Sequence, residues 1–359
     1  MKKIVFLTNH FQFRDGVSRA LIGIANLLAE NDSYEVTIIP IFKYHESALQ
    51  LLSPKVKVKP IFRLYFRGMT KVVNILPDAL LQRFFIRDYY DIEIAFDKGI
   101  PLQVISNNRK KNASQVKIAW LHGYDEGLKQ GACYLKMDKV ISVSKYNAER
   151  LSRELPGVVV DYCYNPINDK EICLQGNEPI DNQRPSVPLF ISVGRLSPEK
   201  GFARLVECLS RIKNDGLKFN FWLVGDGPQE NEINDIIKKN NLEDVVKLFG
   251  RQLNPHKYTR LADLFVCSSF SEGYSTSCTE AIMLGVPVIT TPVPGAEEII
   301  KDAECGLVTG MDNDSLYSSL EYILQNEGLI VEWKRQLQRT KSKFSLENRK
   351  DKLFRVLSM

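Results

Sequence analysis

Residues 189–213, LFISVGRLSPEKGFARLVECLSRIK, compress a whole βα unit into a single stretch. Leu189–Val193 is a short apolar run bounded by Pro188 and Gly194, which predicts a buried strand. A polar loop with Arg195 and Lys200 follows, and Phe202–Lys213 reads as a helix. The same alternation continues downstream. Phe219–Val224 predicts a strand, Gln229–Lys239 a helix, and Val245–Phe249, Leu264–Cys267 and Pro287–Thr291 further strands. Helices are predicted around Thr279–Leu284 and Ala296–Ile300.

Upstream, Asn165–Pro188 contains Pro166, Pro179, Pro185 and Pro188 and reads as a linker. Before it the pattern is already present once. Ile4–Thr8 is a strand, Gly16 opens a helix with Val17, Leu21, Ile24, Leu27 and Leu28 at three-and-four spacing, and Glu35–Pro40 is a second strand. Ile92–Phe96, Lys117–Leu121 and Val140–Val143 follow as strands. Strand–helix–strand repeats of this kind build parallel sheets covered by helices. The reading is therefore α/β with two Rossmann-like domains, residues 1–168 and 169–343, followed by a final helical stretch at about 344–359. Ligands of such sheets bind beyond the carboxyl ends of the strands, so a cleft between the domains is the expected site.

Composition narrows the class. The chain has 359 residues, 44% hydrophobic and 25% charged, which excludes disorder and coiled coil as whole-chain descriptions. It has no apolar run long enough to span a bilayer. The apolar stretch after Lys2 and Lys3 is too short for a signal peptide core. Seven cysteines without CxxC or Cys/His spacing argue against a metal site and for buried thiols in a reducing, cytosolic setting. Residues 1–168 carry 24 Lys/Arg against 16 Asp/Glu, whereas 169–359 carry 24 against 27. The excess gathers between Lys55 and Arg87, where eight basic residues accompany one acid, Asp78.

Five constellations can carry chemistry. In VGRLSPEKG, Arg195 and Lys200 sit between a strand end and a helix start, where a planar fork and a compact ammonium suit a diphosphate; a solvated basic turn is the plain alternative. In FSEGYSTSCTEAIML, Glu272 lies in a Gly/Ser loop and Glu280 on the next helix. The amides around Tyr274–Ser277 can attract a phosphate, although Ser277 and Glu280 also match a capping box. Gly225-Asp226-Gly227-Pro228 lacks the third glycine of a dinucleotide fingerprint and reads as a tight turn near a ligand. His122 ends a strand, and Gly16, after Arg14 and Asp15, opens the first helix where a backbone amide can approach a phosphate.

Taken in order, the Gly loop, the mid-chain histidine, GR…EKG, GDGP and Glu272-x7-Glu280 resemble the retaining family-4 glycosyltransferases of the GT-B fold, in which two Rossmann-like domains face each other across a cleft. TPVPGAEEII, residues 291–300, adds to the likeness. The resemblance implies that the final helical stretch, about 344–359, returns to the first domain. It also implies a catalytic set of Arg195, Lys200, Glu272 and His122. Arg195 and Lys200 would neutralise the donor diphosphate, Glu280 would hold the ribose hydroxyls, and Glu272 would contact the transferred sugar. Gly273, Tyr274, Ser275 and Thr276 would supply loop contacts to the donor, Arg251 would lie near the base, Gly16 near the diphosphate, and His122 in the sugar and acceptor pocket. It further implies a hexosyl- or N-acetylhexosaminyltransferase acting with retention, without a metal or other cofactor, on a nucleotide-sugar donor and a glycan or lipid-linked acceptor. UDP is the favoured donor nucleotide. Asp15 stands where many relatives have a paired glycine. The basic–aromatic stretch 55–87 predicts peripheral attachment to an anionic inner membrane face rather than nucleic-acid binding. A GT-B sugar-nucleotide epimerase and a non-catalytic sugar-binding protein are the alternative readings.

Overall fold

The computed structural model describes residues 1–12, 16–62, 69, 73, 84–123, 128–181 and 183–358. The chain divides into two units, Met1–Pro166 with Arg349–Met359, and Ile167–Asn348. Each is built on its own parallel sheet.

The first unit contains β1 (Lys2–Phe11), β2 (Tyr34–Tyr44), β3 (Lys57–Val58), β4 (Ile92–Ala95), β5 (Val116–Leu121), β6 (Lys139–Ser142) and β7 (Val159–Tyr162), ordered β3-β2-β1-β4-β5-β6-β7. The middles of its central strands are buried, Ile4–Thr8 of β1, all of β4 and Lys117–Leu121 of β5, as strands covered by helices on both faces must be. The helix Gly16–Glu30 follows β1 and buries Leu21, Ile24 and Leu28, the spacing read from the sequence. β2 runs on past Pro40, where the sequence reading ended it. The register between β1 and β2 shifts between Thr8 and His10, just past the Thr8–Pro40 pair; the Pro40 carbonyl accepts from the Ile61 N–H at 3.0 Å, so the proline's missing N–H falls on the β3 side rather than on β1.

The second unit contains β8 (Leu189–Val193), β9 (Asn220–Val224), β10 (Val246–Leu248), β11 (Leu264–Cys267), β12 (Val288–Thr290) and β13 (Leu307–Val308), ordered β10-β9-β8-β11-β12-β13. The helix Phe202–Asn214 packs Leu205, Leu209 and Ile212 into a core with Phe190, Phe221, Val266 and Leu320. The stretch expected to be a linker is only partly one. Asp169–Gly176 is a helix, capped by Asn168, whose side chain accepts from the Glu171 N–H, and anchored by buried Ile172.

The last helix, Leu346–Leu357, begins at the end of the second unit, but from Arg349 onward it belongs to the first. Leu353 and Val356 are fully buried there. Lys139 Nζ donates to the Val356 carbonyl at 2.8 Å, Lys352 pairs with Asp161 at 2.6 Å, and Phe354 stacks on Tyr34.

Most of the basic stretch 55–87 lies outside the described residues. In the described part Lys55 pairs with Asp32, Lys57 with Glu35, and Lys59 with Asp88, so these three charges are matched locally. Phe85 and Ile86 are core residues and Phe62 packs against the same core, whereas Phe84 and Arg87 are exposed. Among the described residues no helix is long and apolar enough to cross a membrane.

Candidate functional site

In both sheets the first strand of the unit is flanked by two strands that both follow it in the chain, so the winding of the sheet reverses beside it. In the second unit this reversal falls between β8 and β11, which pair at Phe190 and Ile191. Loops leaving two such strands diverge and open a crevice at their carboxyl ends. Here those loops are Gly194–Gly201 and Ser268–Ser275, the two segments that carry GR…EKG and the first acid of Glu272-x7-Glu280. Ser192 Oγ donates to the Val266 carbonyl at 2.6 Å and ties the strands just below the crevice.

The loops meet through an ion pair. Lys200 Nζ lies 2.6 Å from Glu272 Oε1, and Ser269 Oγ donates to the same oxygen at 2.7 Å. The side chains are 25% and 13% exposed, so the pair is largely withdrawn from solvent yet reachable. Burial disfavours the Lys200 charge, but the Glu272 carboxylate outweighs it and holds the ammonium above the usual lysine value. A small cavity beside the pair is lined by Val193, Cys267, Ser269 and Ser277.

Glycine makes this junction possible. Gly201 has φ +64°, and a Cβ there would stand 2.3 Å from the Ser268 carbonyl oxygen. The GDGP turn is its buttress rather than a ligand loop of its own. Gly225, at φ +150°, lies so close to the Gly194 carbonyl that no Cβ fits, and the Leu196 N–H donates to Asp226 O at 2.8 Å. Arg195, in the same loop, is exposed and makes no ion pair among the described residues.

The helix Thr276–Met283 starts one turn earlier than its sequence signal. Ser275 is its N-cap, accepting from the Cys278 N–H at 3.4 Å. The Ser277/Glu280 capping box is therefore not formed, and Glu280 is buried on the helix without that structural duty. First-turn amides of this helix, Thr276 among them, have no carbonyl partner within it. Tyr274 is buried, with its ring against Gly295. Gly273 is partly exposed beside Glu272. Arg251 is exposed and follows Gly250, whose carbonyl accepts from the Gly225 N–H, which places it at the β9–β10 side of the same sheet edge.

In the first unit the equivalent reversal falls between β1 and β4. A cavity of about 230 Å³ opens there, lined by Asn9, Asp97, Lys98, Trp120 and His122. Asp97 accepts from Thr8 Oγ1 at 2.7 Å and from the Asn9 N–H at 2.9 Å. His122 follows β5, rests 4.3 Å from the Phe96 ring, and its Nε2 is buried without a partner. Burial pushes its imidazole down to about 3, so it is neutral at physiological pH. Gly16 is exposed at the first position of its helix with open space around it, while Arg14 and Asp15 lie outside the described residues.

The structure thus brings Lys200 and Glu272 into contact, with Ser269 of the β11 loop on the same carboxylate oxygen, and places Arg195, Gly273, Tyr274 and Ser275 on the crevice-forming segments and Thr276 and Glu280 on the helix that follows. His122 and Gly16 belong to the other unit. Sequence reading missed Ser269, Asp97 and Asn9. Asp97 alone left a signal, an acid immediately after a predicted strand. Among the described residues no cluster of three or more His, Cys, Asp or Glu side chains is arranged to hold a metal ion.

Residues 177–341 match the family described as "Glycosyl transferases group 1". The N-acetylgalactosamine-N,N'-diacetylbacillosaminyl-diphospho-undecaprenol 4-alpha-N-acetylgalactosaminyltransferase of Campylobacter jejuni is 30% identical over 205 residues, 56% of this chain and 54% of that one. The lipopolysaccharide core biosynthesis glycosyltransferase LpsE of Rhizobium meliloti is 27% identical over 143 residues, 40% of this chain and 41% of that one. The chain thus spans about half or less of the length of these relatives. Among solved structures, a mutant of S. aureus TarM in complex with fondaparinux, alpha-GlcNAc-glycerol and UDP superposes with a TM-score of 0.78 at 13% identity, covering 100% of both chains. Anabaena HepE in complex with UDP and glucose superposes with a TM-score of 0.72 at 18% identity, covering 99% of both. Residues 177–341 are thus similar to the group 1 glycosyl transferases, and the two-unit α/β chain has the GT-B fold.

Proposed function

We propose that the protein is a retaining, metal-independent glycosyltransferase that moves a sugar from a nucleoside-diphosphate sugar, UDP-linked by preference, to a glycan or lipid-linked acceptor in surface polysaccharide or glycolipid assembly. The observation that carries this reading is the Lys200–Glu272 pair at the β8/β11 reversal of a group 1 transferase domain. The transferred sugar is a hexose or N-acetylhexosamine. UDP is favoured because two fold neighbours were solved with it.

The chemistry follows from charge. Cleaving the donor's glycosidic bond leaves negative charge on the diphosphate while the sugar turns oxocarbenium-like, so fixed cations act most strongly at the transition state. Lys200 has three N–H donors and can serve a phosphate oxygen while still holding Glu272. Arg195, unpaired at rest, adds a planar fork to the same group. Glu272, kept in place by Lys200 and Ser269, faces the sugar hydroxyls as an acceptor, and buried Glu280 takes the ribose hydroxyls. First-turn amides of Thr276–Met283 and the Gly273–Ser275 backbone complete the donor contacts, with Arg251 toward the base. Of the first unit's residues, neutral His122 is assigned to the sugar and acceptor pocket and the Gly16 amide to the diphosphate. The departing phosphate oxygen takes the acceptor proton, so no side-chain base is invoked.

The protein acts on the cytoplasmic side, and residues 55–87 hold it against an anionic membrane surface. Flotation with anionic vesicles at low salt tests this last point, and failure to float rejects it. The transferase reading is tested by thermal unfolding with UDP, GDP, ADP and NAD, each with and without EDTA, in wild type and Glu280→Ala. Stabilisation by one nucleoside diphosphate that survives EDTA and disappears in the variant is the expected result; stabilisation by NAD alone overturns it. Product analysis by NMR then decides the anomeric outcome, and turnover without acceptor would identify an epimerase instead.

A further inference from the structure

We infer that Arg204 is a positioning residue for the Lys200–Glu272 pair: its buried guanidinium fastens the loop after β11 to the segment that carries Lys200, and so fixes where ammonium and carboxylate meet. Arg204 lies one turn into the helix Phe202–Asn214 and is 7% exposed. Its Nε and Nη2 both donate to the Ser268 carbonyl, at 3.2 and 2.5 Å, and its Nη1 donates to the Met311 carbonyl. The guanidinium also lies over the Phe270 ring, 3.7 Å from its centre.

These contacts continue to the pair itself. Ser268 Oγ donates to the carbonyls of Lys200 and Gly201, at 2.9 and 3.2 Å. The Phe270 N–H donates to the Glu199 carbonyl at 2.8 Å. The residues on either side of Lys200 are thus bonded to the two residues that Arg204 grips, and Glu272 follows two positions after Phe270. Arg204 touches neither Lys200 Nζ nor Glu272 Oε1.

A purely architectural role would not call for arginine. Among the described residues Arg204 forms no salt bridge: its buried cation is held by two carbonyls and the Phe270 ring, with the Asp312 charge only a minor support, whereas an apolar side chain would fill the space without burying a charge. What arginine supplies is a rigid planar fork that reaches two carbonyls in fixed directions while stacking on a ring. Lysine, a point charge on a flexible stem, supplies neither.

The inference rests on the donor-side reading only for its ligand arm, so two readouts are used on Arg204→Met and Arg204→Lys in the full chain. The first needs no ligand: titration of Lys200 by ¹³C-dimethyl-lysine NMR, with its signal assigned by Lys200→Arg. Loosening the loops separates the pair, so the Lys200 value falls in both variants and Arg204→Lys does not restore it. The second is UDP affinity by calorimetry. Arg204→Met and Lys200→Ala each weaken UDP about tenfold, and the double variant is no weaker than Lys200→Ala, because both act through one group. Unchanged Lys200 titration, or losses that multiply in the double variant, overturns the inference. If wild type binds no nucleotide, the Lys200 titration still decides the positioning role, and the failure falls on the proposed function. Should Arg204→Met not fold, Phe270→Leu at its half-exposed position removes the stack. The Lys200 value then falls in the same direction, and no change there overturns the inference equally.

Discussion

Glu272 receives hydrogen bonds from both Lys200 and Ser269 on one oxygen, so its second oxygen is the one left for a ligand. This division of labour makes the two members of the pair unequal under mutation. Lys200→Ala removes a cation that a diphosphate needs and strands a carboxylate, and we expect kcat/KM for the donor sugar to fall by about 10²–10³. Lys200→Arg keeps the charge but not the compact geometry and recovers only part of that loss. Steady-state kinetics with the nucleotide found by thermal unfolding checks both. His122 gives a second expectation, now for stability. Its folded value of about 3 lies below the ordinary histidine value of 6.5, so the folded state refuses a proton that the unfolded chain accepts. The stability this contributes is complete above pH 6.5 and is lost as pH falls toward 3, by about 1.4 kcal/mol per pH unit. Denaturant unfolding at pH 7 and pH 5 should therefore show a smaller acid loss in His122→Phe than in wild type; equal losses refute it. Arg195, Lys200, Glu272 and Glu280 were singled out in the sequence because they lie in the loops after β8 and β11 or on the helix that follows the second loop. Ser269 and Asn9 were not, since serine and asparagine after strands are ordinary loop residues.

At the level of elements, what places the pair is backbone meeting backbone. Gly201 brings the Lys200 loop against Ser268, and Gly225 brings the GDGP turn against Gly194. Alanine at Gly201 must hold a positive φ and push back a carbonyl oxygen 2.3 Å away, for which we expect a loss of about 2–3 kcal/mol in denaturant unfolding. Gly328→Ala is the control. It opens a helix with no atom near its added methyl, and its stability should match wild type. The GDGP segment was read as a tight turn, which it is; that the turn packs against Gly194 was not in its spelling, because a glycine pair after a strand reads the same whether it faces a phosphate or another turn. The capping signals carried a similar ambiguity. Ser275 and Ser277 both precede the helix, and only the packed path of the loop selects Ser275. Helix Asp169–Gly176 was hidden by the prolines around it, although Asn168 and Ile172 mark its cap and its anchor.

For the molecule as a whole, the returning C-terminal helix ties the end of the chain to the first unit. Leu353→Ala opens a cavity at a fully buried position and should cost the first unit about 2–5 kcal/mol, seen as a loss in the unfolding transition of that unit. An unaltered profile would mean that the helix is not docked there in solution. The two parallel sheets were determined by sequence alone, because buried parallel strands are short apolar runs and their helices carry a three-and-four apolar period, both local signals. Short outer strands such as β3 and β13, two residues each, carry too little pattern to be read and exist only through pairing with a longer neighbour. Which strands lie side by side, and hence that the loops of β8 and β11 converge across more than sixty residues of chain, was decided by tertiary structure. The physical reason is that hydrophobic periodicity fixes which face of an element is buried, whereas the partner against which it is buried is fixed by packing the whole core. The Lys200–Glu272 pair and the Arg204 clamp belong to that second kind of information.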